Sequence, residues 1–286
     1  MRSDLMPCRG TSLRVRQAGL ADLPTVLFVN AVGMRGSLLD GPAAIFAAAG
    51  LNLVTWELRG SPGPEDARAV TLDDHVADAV EILGILGAGK AHIAGWCTGA
   101  SIALHLTRRL GDQVLSFASV DGAYLFDGVP GGPLGNAMFG MCKQIVSDES
   151  RADYFHDITK PRGNEATVLG LEGRPELVDQ LILPYRGGVG GLIAYAYAIH
   201  RSCSYDPAEL CQALAVPTLI LARRDDRMVA SKNSMRAASL VAGAQLSIAD
   251  SGGHYALFIE DQIAREIAEF MLAAGRGSRT GGPGHR

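Results

Sequence analysis

The stretch His92-Ile-Ala-Gly95-Trp-Cys97-Thr-Gly99-Ala-Ser-Ile-Ala-Leu104 decides how this chain is read. A short apolar run, Ala91–Ala94, leads into it, and a helical pattern over Thr98–Leu110 leads out. Gly-x-Cys-x-Gly between a strand and a helix predicts a sharp turn that holds its central residue in a strained backbone conformation. Glycine at both flanking positions removes the side chains that would clash there. Cys97 then stands above a strand end, at a helix N-terminus, where the helix dipole and unpaired N–H groups favour negative charge.

Outward from this turn the same rhythm repeats. Strands are predicted over Thr25–Asn30, Leu51–Glu57, Val114–Val120, Pro217–Leu221 and Gln245–Ile248, each an apolar run bounded by turn residues. Helices are predicted over Leu38–Ala49, Leu72–Leu86, Ser231–Val241 and Phe258–Ala273. Thr71-Leu-Asp-Asp opens the second of these as a capping box with Asp in place of Glu. The segment RGSPGPEDAR is turn chemistry throughout, and TSLRVRQAG reads as an edge strand. Alternating strands and helices predict an α/β fold, a mostly parallel sheet with helices on both faces. The region Tyr124–Ala215 breaks the rhythm, with helical pieces at Leu134–Val146, Pro175–Ile182 and Val189–Arg201. It is expected to be a helical lid, 124–215, inserted in a core made of 11–123 and 216–274, with a disordered Gly-rich tail at 275–286.

Composition narrows the class. Of 286 residues, 48% are hydrophobic and 20% charged, with a formal net charge of −4. Disorder of the whole chain and nucleic-acid binding through a basic field are both excluded on these figures. No apolar run of about 18 residues predicts a membrane span. The five cysteines show no metal-ligand spacing, and their odd number predicts reduced thiols in the cytoplasm and no metal site. Cys142, Cys203 and Cys211 read as small apolar fillers, and His75, His92 and His105 as structural.

Two further signals follow in order. Asp225 and Asp226 come just past the strand Pro217–Leu221, and His254 follows two glycines in Asp250-Ser-Gly-Gly-His254. Nucleophile, acid, base is one of the known chain orders for a catalytic triad. Asp226, Asp225 and Asp121 are the candidate acids.

From Thr11 to Ala273 the chain resembles the α/β-hydrolase superfamily, on VLFVNAVG, VTWELRGSPG, HIAGWCTGASIALHL, VPTLILARRDD and SGGHYALF. The resemblance implies Cys97 as nucleophile, His254 as general base and, by register, Asp226 as orienting acid, with Asp225 and Asp121 as alternatives. It also implies an oxyanion hole from the backbone N–H groups of Val32 and Thr98. Asn30-Ala31 stands where such proteins usually carry His-Gly, so Asn30 either orients this loop or donates from its own amide.

Cysteine in place of the usual serine changes the energetics. A thiol exchanging with a thioester is close to thermoneutral, so the acyl group stays activated for a second acceptor. The G-x-C-x-G box, chain length and triad order are similar to those of cysteine-dependent acyltransferases of non-ribosomal peptide pathways, the coronamic acid and syringomycin shuttles. That likeness implies an acyl or aminoacyl thioester carried on phosphopantetheine, an acyl or peptidyl carrier protein as partner, and no tightly bound cofactor. Six of the seven tyrosines lie in the insertion. Tyr195 and Tyr197, with Asn30 and Trp96, are the expected substrate-binding residues. Asp121, Glu57 and Asp153 are candidates to hold an α-amino group, and Arg162, Arg174, Arg186, Arg201, Arg223, Arg224 and Arg227 to form a carrier-docking rim. The alternatives are a thioesterase or esterase that releases the same acyl group to water, and a non-catalytic pseudohydrolase that only binds ligand.

Overall fold

The computed structural model describes residues 1–60 and 68–279. In chain order its elements are β1 (Arg2–Cys8), β2 (Thr11–Ala18), β3 (Thr25–Val29), α1 (Asp40–Ala48), β4 (Asn52–Trp56), α2 (Leu72–Ile85), β5 (Ala91–Trp96), α3 (Thr98–Leu110) and β6 (Val114–Val120). The insertion carries α4 (Pro133–Ser147), α5 (Ala152–Thr159), α6 (Glu165–Leu169), α7 (Pro175–Leu181), α8 (Leu183–Arg186), α9 (Gly188–Cys203) and α10 (Ala208–Gln212). The core then resumes with β7 (Thr218–Arg223), α11 (Ser231–Leu240), β8 (Gln245–Ala249) and α12 (Asp261–Arg279).

The eight strands form one sheet in the order β1-β2-β4-β3-β5-β6-β7-β8. β1 and β2 pair antiparallel, β2 pairs antiparallel with β4, and every later pair is parallel. The central strands are buried on both faces, which is why they read as unbroken apolar runs. In β3, Leu27 and Val29 join the core on the side of α2 and α3, while Val26 and Phe28 join the core on the side of α1 and α12. This period-two division gives the sheet two hydrophobic cores.

Local rules place the elements. At the start of α2, Thr71 Oγ1 accepts from the Asp74 N–H, and the Asp74 carboxylate accepts from the Thr71 N–H, so Asp completes the capping box. α12 buries Ile263, Ala264, Ile267, Ala268 and Met271, a stripe at helical spacing.

Three expectations change. The sheet begins at Arg2, because β1 forms a hairpin with β2 through Arg9 and Gly10, both at positive φ. Most of β1 is exposed, so it lacks the buried alternation that marks a strand. α12 continues through Arg279, past the tail boundary expected at Gly275. The rest of the tail, 280–286, and residues 61–67 of the expected turn segment lie outside the described residues. The insertion also holds more helices than the sequence suggested, with α5, α6, α8 and α10 filling its breaker-rich parts. Among the described residues no helix is long and apolar enough to cross a membrane.

Candidate active site

β3, β5, β7 and β8 all end on the same side of the sheet, and the loops after them converge beneath the insertion. Cys97 follows β5 directly with φ 53° and ψ −125°. A non-glycine residue at positive φ costs about 1–3 kcal/mol and persists only where the surroundings hold it. Here the Cys97 N–H donates to Val120 O at 3.1 Å, and Cys97 O accepts from Ala100 N at 3.1 Å and Ala123 N at 3.0 Å. The flanking glycines are required by close approach. A Cβ on Gly95 would lie 2.6 Å from Ala100 Cα, and one on Gly99 would lie 2.2 Å from Val29 O.

His254 comes from the loop after β8 and shares the cavity wall with Cys97, close enough for the charges of the two side chains to interact. Its Nδ1 lies 2.7 Å from Asp226 Oδ2, in the loop after β7. Asp226 Oδ1 in turn accepts from the N–H groups of Met228 at 2.7 Å and Val229 at 2.8 Å. A carboxylate only accepts, so Nδ1 is the protonated ring nitrogen and Nε2 is left as a base. Burial pulls the His254 pKa down, but the charges of Asp226 and Cys97 and the hydrogen bond to Asp226 outweigh it, and the net direction is well upward.

The two alternative acids have other places. Asp225 accepts from Gly253 N at 2.9 Å and Gly252 N at 3.2 Å, so it tethers the glycines before His254. The loop that carries His254 is thereby anchored despite its two glycines. Asp121 is buried with φ 45°, and among the described residues neither carboxylate oxygen has a hydrogen-bond partner of good geometry. Desolvation, reinforced by the Asp226 charge, pushes its pKa up to about 7 against the opposing pull of His254. Asp121, Asp226 and His254 bring potential ligand atoms within 4.8 Å of one another. Since Asp226 already bonds His254 and two backbone amides, this cluster is an acid–base arrangement rather than an open cation site.

On the loop after β3, Asn30 Oδ1 accepts from Ala31 N at 2.9 Å and its Nδ2 donates to Arg35 O at 2.9 Å. Asn30 therefore shapes the loop and has no place in the cavity wall, a correction to its expected role in substrate binding. The Val32 N–H donates to Thr98 Oγ1 at 2.9 Å.

A cavity of about 580 Å³ lies between these loops and the insertion, with Cys97, Thr98, Val32 and His254 in its wall. Most of the rest is apolar, including Leu134, Met138, Met141, Tyr185, Ile199 and Tyr255. Tyr195 lines the cavity and donates to Met138 Sδ at 3.2 Å. Tyr197 does not line it. Its hydroxyl donates to Glu149 at 3.0 Å, on the other side of α9, which corrects the expectation that it binds substrate. Trp96 lines the cavity but chiefly holds the base loop, donating from Nε1 to His254 O at 3.1 Å. Tyr255 was missed. It adjoins the base in sequence, which was the available signal.

The charged expectations sort in the same way. Asp121, Glu57 and Asp153 are all absent from the cavity wall. Arg162 is at its mouth beside Lys160, but Arg223 is buried and donates to Ala222 O, so it is not part of an exposed rim. Arg224 and Arg186 pair with Asp250 and Asp179, and Arg201 donates to Val70 O.

The sequence matches the Alpha/beta hydrolase family over residues 26–269, and the chain belongs to this family. Similar solved structures include a thermophilic esterase from Thermogutta terrifontis, with 16% identity, TM-score 0.70, 96% of this chain and 100% of that one covered. A meta-cleavage product hydrolase from Pseudomonas fluorescens has 18% identity and TM-score 0.70, with 96% and 98% covered. A haloalkane dehalogenase from Bradyrhizobium elkani has 14% identity and TM-score 0.74, with 96% and 99% covered. At such identities the likeness is one of fold. No curated protein sequence matches the chain.

Proposed function

We propose that this α/β hydrolase is a cysteine-dependent acyltransferase, moving an acyl group from a thioester to a second acceptor through an acyl-Cys97 intermediate. The observation that carries the reading is a thiol at the strained turn facing a His254 that Asp226 orients at 2.7 Å. His254 Nε2 takes the thiol proton, and Cys97 Sγ attacks the thioester carbonyl carbon. The carbonyl electron pair moves to oxygen, then returns and breaks the bond to the donor sulfur, which leaves with the proton held on His254. An acceptor thiol repeats the steps in reverse, and Cys97 regains its proton. Asp226 keeps the imidazole oriented and stabilises its cationic form.

The apolar wall supports an apolar acyl chain more than a free aminoacyl group, since among the described residues no unpaired carboxylate faces the cavity. Glu165, at the mouth, is already occupied by the N–H groups of Arg162 and Gly163. Arg162 at that mouth, whose guanidinium donates to the Asp157 carbonyl at 2.9 Å and has further N–H groups to offer, suits the phosphate of a phosphopantetheine arm on CoA or an acyl carrier protein, while Lys160 beside it is paired with Asp157. All five cysteines are unpaired and buried, which supports a reducing, cytoplasmic setting. Hydrolysis of the same acyl-enzyme by a thioesterase is the second reading, favoured by the esterase and hydrolase among the similar structures.

Intact-mass measurement after mixing with acyl-thioester donors separates the two. An adduct on Cys97 that moves to an added thiol or carrier is the expected result. Free acid formed at a rate independent of acceptor would instead establish hydrolysis. No adduct, with ligand binding unchanged in Cys97→Ala, would mean a pseudohydrolase.

A further inference from the structure

Oxyanion stabilisation in this fold depends on two N–H groups, one just after the nucleophile and one in the loop after β3. Here the second of these, on Val32, is already engaged by Thr98 Oγ1 at 2.9 Å, and both residues are buried. The loop is fixed in this position by both ends of the Asn30 side chain. A threonine hydroxyl has one proton to donate and lone pairs to accept with. Thr98 Oγ1 accepts from Val32 and has no acceptor of its own among the described residues, while Thr98 forms part of the cavity wall next to Cys97. A hydroxyl that accepts a hydrogen bond becomes a better donor in its turn.

We infer that the Thr98 side chain is an oxyanion donor: Val32 N–H polarises the hydroxyl, and the hydroxyl donates to the carbonyl oxygen as charge develops on it. The hole is then formed by the N–H and the O–H of one residue, with Val32 acting at second hand. No proton changes place; the hydrogen bonds shorten as the Cys97–carbon bond forms and relax when the donor sulfur leaves. The arrangement also accounts for Asn30-Ala31 in place of His-Gly, since this loop has to aim its N–H at Thr98 and not at open space.

The inference rests on the acyl-Cys97 reading, and one experiment tests both separately. Wild type, Thr98→Ser, Thr98→Val and Thr98→Ala are mixed with S-butyryl-N-acetylcysteamine, and formation of acyl-Cys97 is timed by intact mass. Thermal unfolding of each variant checks that it is folded. Thr98→Ser keeps the donor and is expected within about threefold of wild type. In Thr98→Val a methyl replaces the hydroxyl and covers the Val32 N–H, and acylation is expected to slow by roughly 10²–10³, the usual effect of losing one such donor, with KM nearly unchanged. Thr98→Ala uncovers the Val32 N–H and is expected to fall between the two. Acylation by Thr98→Val or Thr98→Ala at or above the wild-type rate overturns the inference, since the hydroxyl would then be blocking Val32. A wild type that forms no adduct on Cys97 overturns the acyl-cysteine reading, and this inference with it.

Discussion

Asp226 Oδ2 lies 2.7 Å from His254 Nδ1, and the other oxygen of the same carboxylate is fixed by two backbone N–H groups. Asp226→Asn keeps the shape but supplies a weaker, neutral acceptor and allows the amide to turn its NH₂ towards the ring. Acylation of Cys97 is expected to fall by about 10²–10⁴ with little change in the far-ultraviolet circular dichroism spectrum. A loss below tenfold would mean that another group orients the base.

The same pair sets a pH dependence. The folded His254 has its pKa raised well above 6.5, so it binds its proton more tightly than in the unfolded chain. Its contribution to stability is therefore fully present below about pH 6.5 and is lost as pH rises through the folded value. Urea midpoints between pH 6 and 9 should decline in wild type and decline less in Asp226→Asn.

Asp121 works in a different window and with the opposite chemistry. Its folded pKa of about 7 exceeds the ordinary 3.8, so folding favours the protonated acid. The folded state binds more protons between roughly pH 4 and 7, and the Asp121 contribution makes stability fall as pH rises through that range. Asp121→Asn keeps a residue type that tolerates positive φ and removes the charge. The variant should gain stability relative to wild type on going from pH 4 to 7, by on the order of a few kcal/mol. A pH-independent difference in urea unfolding would refute this.

Asp225 tests the tether independently of the acid. Asp225→Ala releases the N–H groups of Gly252 and Gly253 and should lower the acylation rate about tenfold, because small displacements of a base are costly to catalysis. Asp225→Asn retains an acceptor for one of them and should restore part of the rate. Equal losses in both variants would point to charge and not to the tether.

Cys97→Ser is expected to form an oxoester that loses its acyl group mainly to water. Transfer to a thiol from that ester is uphill, and the ratio of transfer to hydrolysis, read by mass spectrometry, should fall at least tenfold, on the order of 1.4 kcal/mol in relative barrier. Undiminished thiol transfer would refute the argument from thioester exchange.

Much of this was legible in the sequence because it depends on local rules. Gly95 and Gly99 mark a turn whose crowding is set by backbone atoms close by, and the Thr71–Asp74 box is closed within a few residues. The apolar runs of β3 to β6 stand out because both of their faces are covered. β1 was hidden for the opposite reason, being an exposed edge with little to bury. What the sequence did not reveal was side-chain direction across the fold. Tyr195 and Tyr197 sit two residues apart on α9 and point to different surroundings, cavity and surface, as helical spacing dictates. The separate roles of Asp225 and Asp226 similarly depend on a loop some 28 residues later in the chain.

Trp96 stands immediately before the nucleophile and clasps the carbonyl of His254, with its ring 5.1 Å from the imidazole. The chain has only two tryptophans, and the other, Trp56, is buried in β4. The molecule thus contains its own optical gauge. In a Trp56→Phe background, indole emission would originate solely beside the reacting groups, so acylation, release of the base loop and entry of water into the cavity could each be followed by fluorescence without attaching a dye.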